Sequence, residues 1–236
     1  MRRFWDRRAR ENAFFFVDSR LDYHEPDLDW FWEEGERHLA EVLARVGARF
    51  EPGDEVVEVG CGVGRMTRPI AKRAKSVRAL DVSPRMLEMA REHNPALTNV
   101  DWIEGDGVSL RPIPDASADA CFSYVVFQHI PDPEVTYGYV REMGRVLRPG
   151  GLAAFQVSDD PGVHRPRGAL ATARLVAAGI AGRAPRGWTR REYRGSAVDL
   201  DDLRSAAAAG GLEIERIEGA GTQYCVVLAR RTSSGG

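Results

Sequence analysis

Val56 to Arg65 reads VVEVGCGVGR, an apolar run that ends on glycines 60, 62 and 64. Nothing else in the chain restricts the fold as much. Glycine tolerates positive φ, so three of them at alternate positions after a buried strand let the backbone turn sharply and let a ligand come close to the main chain. A dinucleotide loop is spaced G-x-G-x-x-G and wraps a pyrophosphate. Here the spacing is G-x-G-x-G followed by Arg65, which suits a ligand without phosphates. Glu58, on the run just before the loop, can neutralise a cationic group. Asp81 lies 21 residues after Gly60, at the tip of the next strand-like run, where a carboxylate accepts the hydroxyls of a ribose. These residues together describe a site for a nucleoside with a positively charged appendage.

A rhythm follows from Glu55 onward. Val56–Val59, Val77–Leu80, Val100–Ile103, Ala120–Val126 and Leu152–Val157 read as strands, with helices predicted between most of them. Ser83-Pro84 and Asp132-Pro133 each place a capping side chain before a proline at the first helical position. Strands that alternate with helices predict an α/β, doubly wound, mostly parallel sheet with helices on both faces. The end differs. A helix over Asp199–Ala209 precedes two runs, Leu212–Ile217 and Tyr224–Leu228, joined by a short Gly-rich turn; with no helix between them they should pair antiparallel. The expected fold is therefore a seven-stranded sheet closed by a C-terminal antiparallel hairpin.

Residues 1–50 hold half of the aromatic side chains and end in an amphipathic helix marked by Leu39, Val42, Leu43 and Val46. They are expected to form a helical, aromatic cap on a domain over residues 51–236, in which residues 158–197 form a lid-like insertion; a stretch of that length is more often functional than idle. A net charge of −2 argues against a general nucleic-acid binder. Cys61, Cys121 and Cys225 are spaced for neither a disulfide framework nor a zinc site. The basic start MRRFWDRRARENAFFFV has no long apolar stretch, and no segment is long and apolar enough to span a membrane, so the expectation is a cytoplasmic protein with no membrane partner. Oligomeric state is left open.

Five stretches in order resemble the class I S-adenosylmethionine-dependent methyltransferases of the small-molecule type: VVEVGCGVGR, ALDVSPRMLEMAR, WIEGDG, ADACFSYVVFQHIPD and REMGRVLRPGGLAAFQV. The resemblance is strong over about Glu51–Val157 and moderate in the closing helix and hairpin. It implies the Rossmann-like methyltransferase fold, S-adenosylmethionine as cofactor and a small-molecule substrate; the sequence itself shows no metal-ligand cluster, so no metal is expected. It also implies roles for matched positions. Gly60, Cys61 and Gly62 would line the methionine part, with Tyr124 beside it. Asp81 would hold the ribose, and Val82 and Met86 would pack on the adenine. Asp106 would accept from the adenine amino group, with Gly107 offering its N–H. Ala118 stands where relatives commonly carry an aromatic residue.

Several residues keep two readings. Arg65 is either a surface residue at a helix start or a cofactor contact. Cys61 reads as a small buried side chain rather than a reactive thiol. His129, after the fourth strand, is either a general base toward a substrate hydroxyl or amine, or a residue that packs on the cofactor. Tyr23, His24, Trp30 and Trp32 are either core or the wall of a substrate chamber. Arg165, Arg167, Arg174, Arg183, Arg186, Arg190, Arg191 and Arg194, with Trp188 and Tyr193 among them, are either a solvated face or an attraction for an anionic substrate. The function expected is methyl transfer to a small molecule, anionic or aromatic. A catalytically inactive cofactor-binding partner or regulatory module is the alternative; a nicotinamide-dependent oxidoreductase fits the loop spacing poorly.

Overall fold

Strand β1 (Glu55–Val59) sits in the middle of the sheet and is buried on both faces. Its alternation splits the interior into two layers. Val57 and Val59 join Cys121, Phe155 and Val227 in one cluster, while Val56 joins Ala120, Ala154 and Val226 in the other. In the computed structural model, which describes residues 1–166, 168–180, 187 and 189–233, seven strands run in the order β3-β2-β1-β4-β5-β7-β6. They are β1, β2 (Ser76–Asp81), β3 (Val100–Glu104), β4 (Ala118–Ser123), β5 (Leu147–Val157), β6 (Leu212–Glu218) and β7 (Cys225–Arg231). The first five are parallel, and β7 slots antiparallel between β5 and β6. One row, Val57, Cys121, Ala153, Ala229 and Ile214, crosses five strands in register. This is the α/β architecture the sequence predicts, including the closing hairpin.

Helices cover both faces. The layer with Val57 is closed by α5 (Pro133–Val146) and α8 (Leu200–Ala209), the other by α2 (Leu28–Val46) and α3 (Thr67–Ala71). Helix α4 (Pro84–His93) lies along β2 and β3. The two predicted caps are present, the Ser83 side chain accepting from Met86 N–H and Asp132 from Glu134 N–H, and Asp199 adds a third by accepting from Asp201 and Asp202 N–H. Two more helices, α6 (Ala169–Ile180) and α7 (Arg191–Arg194), belong to the stretch between β5 and α8.

Two local departures matter for function. The fourth strand stops at Ser123 rather than running to Val126, because Val125 takes φ 58° and the chain turns away into a 3₁₀ turn at Phe127–His129. The start of the chain holds a helix that its sequence does not announce, α1 (Arg2–Val17), broken at Asn12. The Asn12 side chain caps the second half by accepting from Phe15 N–H while donating to Tyr23 O. Phe14, Leu21, Phe31, Val63 and Met86 pack in a third cluster that joins α1 to the sheet domain.

Helices α5 and α8 cross so closely that a Cβ at Gly144 would sit 2.0 Å from Gly210 O. Gly138, on the same helix, would bring a Cβ no nearer than 3.9 Å to any atom. Gly144→Ala is therefore expected to lower stability by about 1–3 kcal/mol through overpacking. Gly138→Ala should be neutral or stabilising by up to about 1 kcal/mol. Urea unfolding of both variants checks the contrast, and equal effects would contradict it.

Candidate active site

Strand order reverses between β1 and β4, and in open α/β sheets the crevice at such a point, outside the carboxyl ends of the strands, is where ligands sit. A cavity of about 850 Å³ opens there. Its floor is the glycine loop, whose three glycines all have positive φ: 77° at Gly60, 55° at Gly62 and 91° at Gly64. A Cβ at Gly60 would strike Val126 at 2.3 Å, so close approach as well as conformation requires glycine there. The N–H groups of Gly60 and Cys61 both donate to Leu80 O, at 2.7 and 2.9 Å, which ties the loop to the end of β2.

Asp81 continues that seam. Its Oδ2 accepts from Gly62 N–H at 2.9 Å and its Oδ1 from Ser83 N–H at 2.8 Å. Each oxygen keeps a lone pair toward the cavity, enough for a pair of ligand hydroxyls. Burial raises its pKa above the usual carboxylate range, against the pull of the Ser83 and Gly62 N–H groups. Glu58 has the parity of Val56 and so faces the α2–α3 layer, where Thr67 Oγ1 donates to it at 2.6 Å. Burial pushes its pKa to about 7, the nearby Asp81 charge pushes the same way, and Arg65 opposes. Two carboxylates short of positive charge beside one cavity form a donor set that fits a cationic ligand bearing hydroxyls.

Cys61, Val82, Met86, Gly107 and Tyr124 stand on the wall with Glu58, Gly60, Gly62, Arg65 and Asp81. Asp106 does not. Its carboxylate accepts from Val108 N–H, Ser109 N–H and Ser109 Oγ, so it closes its own loop while Gly105, Gly107 and Ser109 face the cavity. The Cys61 thiol is buried and pushed well above its ordinary pKa by that burial, which suits a small packing residue. Arg65 is not the surface residue of its first reading; it reaches the cavity wall from within the protein. It is buried, donates to His38 Nδ1 at 2.8 Å and lies 3.6 Å from Asp18 Oδ2, a strut from the glycine loop to the N-terminal region. Its Nε has no hydrogen-bond partner.

The remaining wall comes from the two ends of the chain's additions. Met1, Trp5, Phe16, Val17, Asp18 and Arg20 line the cavity from the N-terminal side; Val163, His164, Arg165, Tyr193 and Arg194 line it from the stretch after β5. Trp5 meets the His129 ring edge-on at 5.4 Å. His129 Nδ1 lies 2.7 Å from Tyr193 O, and burial lowers its pKa to about 4, so the ring is neutral near pH 7. His164 Nε2 lies 2.7 Å from Ser158 Oγ, and its Nδ1 meets Arg194 O.

The four N-terminal aromatic candidates sit elsewhere. Tyr23 donates to Glu11 at 2.8 Å, His24 is in the Asp22 turn, Trp30 lies under the Arg20 guanidinium and Trp32 under that of Arg68. Arg174 is exposed on α6 and Arg191 donates to Pro131 O. Arg167, Arg183, Arg186 and Trp188 lie outside the described residues. Sequence reasoning missed Trp5, His38, His164 and Gln128 on the wall, since a lone polar or aromatic side chain without a spacing partner carries no signal of its place. Among the described residues, no helix is long and apolar enough to cross a membrane.

Residues 57–155 match the family model described as "Methyltransferase domain". The malonyl-[acyl-carrier protein] O-methyltransferase of Serratia marcescens is 37% identical over 120 residues, 51% of this chain and 44% of that protein. The ubiquinone biosynthesis O-methyltransferase of Xanthomonas axonopodis pv. citri is 26% identical over 213 residues, 84% of each chain. Of the five relatives matched at 34–37% identity and spread over malonyl-[acyl-carrier protein] and demethylmenaquinone methyltransferases, the chain spans 39–45% of the length. Among solved structures, an S-adenosylmethionine-dependent methyltransferase from Mesorhizobium loti aligns with a TM-score of 0.60 at 20% identity, over 81% of this chain and 96% of that one. The [4+2]-cyclase SpnF aligns with a TM-score of 0.58 at 20% identity, over 84% and 82%. At such identities the solved structures speak for the fold alone.

Glu58 leaves a signature in stability. Its folded pKa of about 7 exceeds the ordinary 4.5, so the folded state holds this proton more tightly than the unfolded chain. Its contribution is complete below about pH 4.5 and is lost as pH rises through about 7, a swing of roughly 3 kcal/mol as an upper figure. The lowered pKa of about 4 at His38 and His129 tilts stability the other way, rising with pH through the ordinary histidine range. Comparing wild type with Glu58→Gln cancels those histidines. The variant should gain on the wild type as pH rises from 4.5 to 7 in denaturant titrations; parallel profiles would contradict the assignment.

Proposed function

We propose that this chain is a class I S-adenosylmethionine-dependent methyltransferase, which transfers the methyl group of S-adenosylmethionine to a hydroxyl on an anionic small molecule. One observation carries the reading. The glycine loop, Asp81 and His129 surround the same cavity whose outer wall holds Arg45, Arg165 and Arg194, and no carboxylate among the described residues lies within ion-pair distance of these three arginines. The names of the relatives agree in kind, since the proteins from Serratia marcescens and Xanthomonas axonopodis are both called O-methyltransferases.

Bound in this cavity, the cofactor supplies an electrophilic methyl on a sulfonium leaving group. The protein's work is then alignment and exclusion of water. Asp81 takes the ribose hydroxyls with the lone pairs its backbone partners leave free. Glu58 loses its proton when a cation arrives and balances that charge in a dry site. Val82 and Met86 give the adenine an apolar bed, and Gly107 offers its N–H. Gly60, Cys61, Gly62, Arg65 and Tyr124 surround the methionine part. Since Asp106 spends its carboxylate on its own loop, it serves this site by shaping Gly105–Ser109.

His129 receives the acceptor hydroxyl as a neutral imidazole. With S-adenosylmethionine bound, the acceptor oxygen would take its methyl group with the sulfur as leaving group, and His129 Nε2 would accept the hydroxyl proton. An oxygen that is being methylated becomes strongly acidic, so an imidazole with a pKa of about 4 suffices once transfer is under way. Arg165 and Arg194, on the same wall as His129, meet the anionic group of the acceptor, and Trp5 and Tyr193 cover the pair. We place this activity in the cytoplasm.

Calorimetry should find binding of S-adenosylmethionine and its demethylated product, and none of NAD. Asp81→Ala should weaken that binding by about 1.5–3 kcal/mol, the scale of hydrogen bonds to a charged group; unchanged affinity would overturn the role. Turnover is checked with hydroxylated aromatic carboxylates against their methyl esters. Arg194→Gln is expected to raise KM for the carboxylates about tenfold or more and to leave that for the esters unchanged. Cofactor binding with no turnover on any acceptor would favour the inactive binding module.

A further inference from the structure

We propose that Gln156 and Gln128 are positioning residues that hold His129 in one tautomer, with the proton on Nδ1 and the acceptor lone pair on Nε2. The argument starts from backbone atoms, whose roles as donor or acceptor do not change. Val125 N–H donates to Gln156 Oε1 at 2.9 Å. On the other side of the same amide, Gln156 Nε2 donates to Val157 O at 2.8 Å and to Gln223 O. One fixed donor and two fixed acceptors leave Gln156 a single orientation. Those two carbonyls take both hydrogens of the amide, so the 3.1 Å approach of Gln156 Nε2 to Gln128 Oε1 is a shared, three-centre contact, which still favours an oxygen over an NH2 on the facing atom of Gln128. Gln128 is thereby also fixed, with its own nitrogen turned toward His129 Nε2 at 3.3 Å. A donor on that side makes Nε2 the unprotonated nitrogen. The far end agrees, because His129 Nδ1 faces Tyr193 O at 2.7 Å and must carry the proton.

The relay is built of buried parts. Gln156 is 0% exposed and Gln128 3% exposed, so a half-satisfied amide here is costly and the orientations reinforce one another. Its terminus is held as firmly. Gly195 rests so close to the Gln128–His129 peptide that a Cβ there would lie 1.7 Å from Gln128 O. Ser196 Oγ donates to Ile130 O at 2.7 Å and Arg191 to Pro131 O at 3.1 Å. Helix α7 is thus fastened along residues 128–131, and the Tyr193 carbonyl cannot drift from the ring. Trp5 of α1, Tyr193 of α7 and His164 of the loop before α6 stand around His129, and burial first, with repulsion from His164 after it, disfavours the charged form of the His129 ring.

The chemical consequence rests on the methyl-transfer reading above. The contact from Gln128 to Nε2 is long for a hydrogen bond, so an acceptor hydroxyl can displace or share it with a shorter one. The hydroxyl then meets a lone pair in a fixed direction, and its own lone pairs are turned toward the methyl group. Gln128 and Gln156 reach the chemistry only through His129.

Long-range ¹⁵N–¹H correlation spectra of the full chain, labelled at the imidazoles and assigned with His129→Asn, test the relay without turnover. In the wild type His129 should show one tautomer, Nδ1–H, and stay neutral well below the ordinary histidine range. Gln156→Met frees Gln128 to turn its oxygen toward Nε2, so the imidazolium gains an acceptor on both nitrogens and the pKa of His129 should rise by about one unit or more. The Gln128→Met/Gln156→Met double variant should lose that rise, since the flipping amide is gone. A proton on Nε2 in the wild type, an unmoved titration in Gln156→Met, or the same rise without Gln128 would each overturn the proposal. The wild-type spectrum alone decides the tautomer if a variant fails to fold. Absence of turnover beside the expected spectra would count against methyl transfer and leave the relay standing.

Discussion

The stitch between the glycine loop and the end of β2 organises everything that follows. Leu80 O takes two N–H groups of the loop, and Asp81 takes a third together with the N–H that opens α4. These bonds need the loop in a backbone shape that only glycine adopts without strain. They also put a carboxylate at the carboxyl edge of the sheet with its remaining lone pairs outward. From that seam the positions of β1, β2, α3 and α4 follow, and with them the floor of the cavity.

The chain's additions are anchored to the same seam. Asp6 on α1 accepts from Ser83 Oγ and Arg85 N–H, joining the capping of α4 from outside that helix. This docks α1 across the mouth, with Met1 against the main cluster and Trp5 against His129. Arg65 runs from the loop's end to Asp18 and His38, and a Cβ at Gly35 would lie 2.4 Å from its carbonyl oxygen, so α2 has to approach at a glycine. The covering wall is thus fastened by a few polar contacts to the conformation of the glycine loop.

Burial sets the electrostatic character of the site. Glu58 and Asp81 are pushed toward neutrality, His38 and His129 are held neutral, and the arginines nearest the surface keep their charge available to a ligand. Such groups cost stability in the free protein, because each is removed from water without a full partner. The ion pairs elsewhere are mostly exposed and contribute little.

What the sequence by itself determined is what local physics enforces. Alternating burial along Val56–Val59, proline and capping side chains at Ser83-Pro84 and Asp132-Pro133, and three glycines with positive φ were legible, because each acts within a few residues of itself. They implied the parallel sheet, its order of elements, the closing hairpin and the floor of the site with Glu58 and Asp81, while Val82 and Met86 followed from the family resemblance alone. What only the tertiary structure decided depends on partners far apart in the chain. Asp106 looked available until Ser109 and Val108 claimed its carboxylate, and Arg65 was ambiguous until Asp18 and His38 enclosed it. Trp30 and Trp32 resembled wall residues by type, yet guanidinium groups from elsewhere cover them, while Trp5 takes the wall. The state of His129 was least legible of all. It is settled by glutamines 128 and 156 and by the carbonyl of Tyr193, 64 residues away, since the direction of a hydrogen bond is a property of the assembled network and not of any one side chain.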